Sequence, residues 1–185
     1  MSNEAQVDNY FHTPIWVFNK SEWLDKINKV CDKYIKAAYK RDEKHKDDFG
    51  WSYHSNSSEF LEEPKLKELH DWVGATANNF LDFMGYDLSN HTLYYTESWV
   101  QEFSRKGGGG HNSHIHGNNH VSAFYYLKCT ERTSRPIFHD PRKSALMMRL
   151  PEKDSEQVTL ANDKINYIPK PGTLIMIPAY LEHEY

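Results

Sequence analysis

Cysteine is nearly absent: Cys31 and Cys129 are the only two in 185 residues. They are too few for a disulfide scaffold and too far apart for a zinc-ligand pair, which points to a reducing cytoplasm. No apolar run is long enough for a membrane span, and the mean hydropathy is −0.81, so no membrane partner is expected. The opening stretch MSNEAQVDNY has neither a basic start nor an apolar core, and no secretory signal is read there. Charge of one sign is also lacking. A formal net charge of −4 and a pI of about 6.2 argue against a bulk electrostatic footprint on nucleic acid and leave room only for a local basic patch. Internal repeats and low-complexity tracts are missing too. Aromatics, by contrast, reach 14 %, with twelve Tyr and five Trp, a content suited to a β-rich body with aromatic pocket walls.

The length fits one domain with a real core. Thr13 to Phe18 reads as a strand, and Ser21 as the cap of a helix that follows. Trp23, Leu24, Ile27, Val30, Tyr34 and Ile35 recur at helical spacing and give that helix one apolar face. The mixed charges from Lys40 to Asp48 read as a solvated loop or frayed helix end. A second helix is expected to start near Pro64, to bury Leu66, Leu69, Trp72, Val73, Phe80, Leu81 and Met84, and to stop at Gly85. From His91 the texture changes. HTLYYTESWVQEF, VSAFYYLKC, RPIFH, ALMMRL, KINYIP and GTLIMIP are β-rich segments divided by polar or Gly/Pro turns. The pattern predicts an α+β, mainly β fold in one domain over residues 1–185. Helical support at about 20–85 braces a jelly-roll-like sheet pair at about 90–185.

Four of the eleven histidines crowd into HNSHIHGNNH, residues 111 to 120, directly after four glycines, Gly107 to Gly110. The glycines suit either a mobile lid or a flexible connection. His114 and His116 flank Ile115, and alternate residues of an extended chain share a face, so both imidazoles can reach one ion. The strand-like segment Val121 to Cys129 would anchor them to a rigid sheet. His183 stands 67 residues beyond His116, after the apolar strand at Thr173 to Pro178. Three histidines so placed can hold one side of a metal ion and leave its other positions open. By spacing alone, a surface histidine cluster without metal remains an equal reading.

The ordered set H-x-H, S-A-F-Y-Y-L, F-H-D-P-R and P-G-T-L-I-M-I-P-A-Y-L-x-H resembles the 2-oxoglutarate- and Fe(II)-dependent oxygenases. The branch is that of small bacterial and phage members related to prolyl hydroxylases. The likeness spans roughly residues 90 to 185, and Gly50-Trp51-Ser52 is similar to the branch's N-terminal half. The resemblance implies a double-stranded β-helix, Fe(2+) and 2-oxoglutarate as cofactors, and hydroxylation of an unactivated C–H coupled to succinate formation. It implies His114, His116 and His183 as metal ligands, with His116 where most of the superfamily carries an acid. Tyr126 would meet the co-substrate's distal carboxylate, with Ser122 beside it and Lys128 on the same strand face. His111 and His120 would be neighbours rather than ligands, and Asp140-Pro141-Arg142 a structural turn. The arginine that the family sets one strand past its distal histidine would fall beyond Tyr185, leaving Lys128 or Arg142 to supply the charge and predicting poor turnover. The partners implied are 2-oxoglutarate, O₂ and a peptide or protein substrate, in the host cytoplasm if phage-encoded. Two rival readings are a three-histidine zinc site with lyase or hydrolase chemistry, and a jelly-roll binding module without catalysis.

Overall fold

The structure is a computed structural model that describes residues 5–104, 106–147 and 150–185. Helical spacing of Ile27, Val30, Cys31, Tyr34, Ile35 and Ala38 produces α1 (Leu24–Arg41), with those six residues buried. Ser21 does not cap it. It opens a short 3₁₀ turn, Ser21–Trp23, and its own amide donates to Asn19 Oδ1 at 3.1 Å. The 3₁₀ turn puts Trp23, not Ser21, at the start of α1, which has no side-chain cap. The charged run after α1 forms another 3₁₀ turn at Glu43–His45.

A short helix, α2 (Ser57–Leu61), has no counterpart in the helical pattern of the sequence; Asn56 starts it by accepting from Ser58 N at 3.0 Å. Pro64 leads a 3₁₀ turn into α3 (Lys67–Phe83), and Gly85 follows at φ +89°. Among the described residues no helix is long and apolar enough to cross a membrane.

The strands are β1 (Trp16–Asn19), β2 (Tyr53–His54), β3 (Gln101–Glu102), β4 (Val121–Tyr125), β5 (Ile137–His139), β6 (Lys164–Asn166), β7 (Thr173–Pro178) and β8 (His183–Glu184). All pairings are antiparallel, in sheets ordered β1-β7-β4, β2-β3 and β6-β5-β8. The result is a mixed helix and strand fold with antiparallel sheets.

Two expected strands are for the most part not strands among the described residues. Lys143–Leu146 of the ALMMRL region is a 3₁₀ turn, while Met148 and Arg149 lie outside the described residues. Most of HTLYYTESWVQEF runs without a ladder partner. Its backbone is taken by serines instead: Ser98 N donates to Ser57 Oγ and Val100 N to Ser55 Oγ. β-propensity fails there because side-chain acceptors replace the neighbouring strand.

β7 is the centre of the molecule, and its apolar run is buried on both faces as a two-sided strand requires. Leu174 and Met176 meet Phe80 of α3, with Trp16, Phe18 and Trp72 around them. Ile175 and Ile177 meet Phe138 of β5 and Leu181 across the second sheet, joined by Phe124, Tyr126, Ile165 and Tyr167. The β1-β7-β4 sheet is thus braced by a helix on one side and faces β6-β5-β8 on the other. Gly172, just before β7, has φ +85°, and a Cβ there would stand 2.7 Å from Ser21 Cα. Gly172→Ala should therefore cost more than about 1 kcal/mol, read as a lower urea midpoint; an unchanged midpoint would show that the turn relaxes freely.

Candidate metal centre

The route from β7 to β8 builds the site. Past Pro178 the chain turns, with Leu181 N donating to Pro178 O at 3.0 Å, and enters the other sheet at His183. The H-x-H segment runs alongside this turn. His114 N and His183 N each donate to the other's carbonyl at 3.0 Å, and His116 N donates to Ala179 O at 3.0 Å. Backbone hydrogen bonds therefore hold the two sequence-distant pieces together before any side chain acts. Alternation then turns His114 and His116 to the same place, while Ile115 is 55 % exposed.

One ligand atom from each of His114, His116 and His183 lies within 4.8 Å of the other two. Hydrogen bonding shows which nitrogens face the centre. His114 Nδ1 is 2.7 Å from Asn112 O, and His183 Nδ1 is 2.8 Å from Leu181 O. A carbonyl only accepts, so each Nδ1 carries the proton and each Nε2 of the neutral ring keeps its lone pair. His183 is fully buried, and neither its Nε2 nor that of His116 has a hydrogen-bond partner. Orphaned buried nitrogens are costly unless something fills the point at which they meet. A divalent cation fits, since tied Nδ1 atoms and free Nε2 lone pairs are the usual dress of metal-bound histidine.

Burial also sets the charge state. It pushes the His183 imidazole down to about 4, and it lowers His116 and His111 as well. In the metal-free protein, the unfolded chain takes up a proton at His183 below about pH 6.5 while the folded chain resists until about 4. Stability is thus intact above that window and falls as pH drops through it. The loss is at most about 3 kcal/mol from this group. Denaturant midpoints in the presence of a chelator should decline over that range; a flat profile would mean that His183 is protonated inside the fold.

The remaining histidines are not in the cluster. His111 packs edge-on to His114 at 5.6 Å, and its Nε2 accepts from Gln101 Nε2 at 3.0 Å. His120 is exposed and contributes its carbonyl to Ala179 N. Aromatic side chains wall one side. Phe124 of β4 lies 5.2 Å from the His183 ring and 5.6 Å from Tyr185. The Tyr126 hydroxyl is buried beside the Tyr185 phenol, too far or too bent for a good hydrogen bond but close enough to interact with it, and burial raises both. Ser122 lies opposite Ile177, on the face of β4 shared with Phe124.

Lys128 goes elsewhere. Val121 pairs with Pro178 near the histidines, and the strand carries Lys128 to the opposite end, where its Nζ meets Asp32 of α1 at 2.5 Å. Arg142 folds back on its own turn, donating from Nε and Nη2 to Asp140 at 3.0 and 2.8 Å, as a structural turn would. The glycine run is packed rather than free. A Cβ on Gly109 would lie 2.5 Å from Ser104 N, and one on Gly110 would lie 2.5 Å from Tyr185 O.

Several contributors carry no sequence signal. The Asn112 and Leu181 carbonyls orient imidazoles through the backbone alone. Glu182 accepts from Ser113 Oγ at 2.7 Å and from Lys143, clamping the residues beside two of the ligands. Only its position next to His183 could have drawn attention to it. Glu97 brings Oε1 to 3.9 Å from His116 Nδ1.

Three imidazoles, two from an extended loop segment and one from β8, form a cluster that could hold a single metal ion. Residues 97–185 match the family described as "Putative 2OG-Fe(II) oxygenase", which places that segment, with all three histidines, in the 2-oxoglutarate/Fe(II) oxygenase superfamily. No curated protein matches the chain.

Proposed function

We propose that the protein is a jelly-roll, iron-dependent dioxygenase that hydroxylates an unactivated C–H while 2-oxoglutarate and O₂ become succinate and CO₂. The observation that carries this reading is the meeting of partnerless buried Nε2 atoms with His114, inside the segment the family matches. His114, His116 and His183 would hold Fe(2+) on one face. Bound iron and 2-oxoglutarate would supply the oxidising chemistry. The chain's own residues do the rest. The Asn112 and Leu181 carbonyls fix two imidazoles in the tautomer that presents Nε2. Phe124, Phe138 and Tyr185 keep water from the buried side of His183.

The Tyr126 hydroxyl, buried beside the Tyr185 phenol and without a well-formed hydrogen bond, is our choice for the co-substrate's distal carboxylate, with Ser122 beside it on the strand. Lys128 is the third residue of that set, and it would have to leave Asp32 to serve there. A peptide residue such as proline is the substrate class that family analogy suggests.

One observation favours a zinc reading: the three ligands are all neutral, a donor set that tetrahedral zinc accepts readily. Elemental analysis of anaerobically purified protein separates the two. The oxygenase reading expects iron, and succinate formed from 2-oxoglutarate only with Fe(II) present. Zinc retention without turnover favours the rival. Ligand binding that ignores metal would leave only a binding module.

A further inference from the structure

We propose that Glu97 is a positioning residue of the metal centre, returning from outside the ligand set the negative charge that His116 leaves out of it. This inference rests on the reading of the three histidines as a metal site. An imidazole has two nitrogens on opposite sides of its ring. The inward Nε2 of His116 is buried and partnerless, while Glu97 Oε1 stands 3.9 Å from the outward Nδ1. The carboxylate is therefore behind the ligand and not among the ligand atoms. Among the described residues Glu97 forms no other ion pair.

The other two ligands have backbone carbonyls behind them at 2.7 and 2.8 Å. His116 alone has a charged group there. A carboxylate behind an imidazole holds the proton on Nδ1, fixes the ring's orientation and makes Nε2 a stronger donor. Here it also faces the one ligand position where a neutral side chain replaces an acid.

The surroundings leave Glu97 free to close the gap. Its side chain is 47 % exposed. It borders a polar cleft of about 460 Å³ lined also by Arg41, His54, Asn56 and Trp99. Arg41 does not neutralise it, because that guanidinium is spent on Asp42 at 2.9 and 2.6 Å. Oε1 would have to come about 1 Å closer to hydrogen-bond Nδ1, and a metal drawing density through the ring would favour that closure.

The test is Co(II) binding to the full chain, followed by titration calorimetry and by the visible absorption of bound Co(II). The expected result is one Co(II) per chain for the parent protein. Affinity should be about 10–100-fold weaker for Glu97→Gln, the range for loss of an outer-shell partner, with most of that loss recovered in Glu97→Asp. The half-exposed position predicts an unchanged metal-free melting temperature. Should Glu97→Gln melt early, the pair Glu97→Asp and Glu97→Asn decides, the charged member having to bind Co(II) the more tightly. Affinity in Glu97→Gln within about twofold of the parent, or Glu97→Asp no better than its neutral partner, overturns the inference and leaves the metal centre standing. A parent chain that takes up no Co(II) overturns both.

Discussion

His183→Ala abolishes metal binding, while His111→Ala and His120→Ala retain it. Outer-shell partners alone are worth about 10–100-fold in metal affinity, so removal of a direct ligand should cost more than about 100-fold. His183 is also the ligand with least freedom to be replaced. It is fully buried, with rings of His114, His116 and Phe124 at 4.4, 5.2 and 5.2 Å, and no neighbouring side chain can swing into its place. A ligand that binds only the folded state stabilises it by about 2.7 kcal/mol when present at about 100 times its Kd. Parent protein should therefore melt at a higher temperature with Fe(II) or Co(II) than with chelator. The His183→Ala curves should coincide. The variant will start lower, since emptying a buried ring-sized volume costs about 2–5 kcal/mol, but that offset is present with and without metal and cancels in the comparison. A variant still stabilised by metal would remove His183 from the ligand set.

That result would test the part of the site most legible in the sequence. The ligands could be read because they obey period-two alternation at His114 and His116, and because His183 follows soon after β7, whose apolar run is unmistakable. The helices were legible for the same reason: the stripe from Ile27 to Ala38 and that from Leu66 to Met84 fix a buried face. Legibility failed where main chain binds side chain. The region from His91 to Val100 has the aromatic and β-branched texture of a strand, yet Ser55 and Ser57 take its amides. Ser21 looked like a cap, but it lies inside the 3₁₀ turn that leads into α1, which starts after Trp23 with no side-chain cap. Glycines 107 to 110 looked like slack chain, yet Gly107 and Gly108 lie against Phe49, Gly109 against Ser104 and Gly110 against Tyr185, approaches that no local pattern encodes. Lys128 shares a strand face with Ser122 by counting, yet it lies past the end of β4 and reaches Asp32 instead. Glu97 is the sharpest case. Nothing in its neighbourhood of sequence relates it to His116, and only the crossing of an extended segment past the ligand loop brings them together.

His116→Glu reverses the effect of Glu97. A glutamate carries its carboxylate about as far from the main chain as His116 carries Nε2, whereas an aspartate stops short. The substitution should therefore preserve the face and supply an anionic ligand directly. In the parent, the carboxylate of Glu97 sits behind a neutral ring and helps it donate. In His116→Glu it faces a second carboxylate across a few ångströms, where like charges raise one another's cost of ionisation. Removing Glu97's charge should then improve binding instead of weakening it. The cycle of parent, Glu97→Gln, His116→Glu and the double variant isolates that pairwise term. Expected are a loss of about 10–100-fold for Glu97→Gln in the parent background and a gain for the same change beside His116→Glu. Independent sites would give the same factor in both backgrounds. A repeat of that single factor would mean that Glu97 acts on the metal only through the general field of the protein, and that its position behind His116 has no part in how three neutral ligands hold a divalent ion.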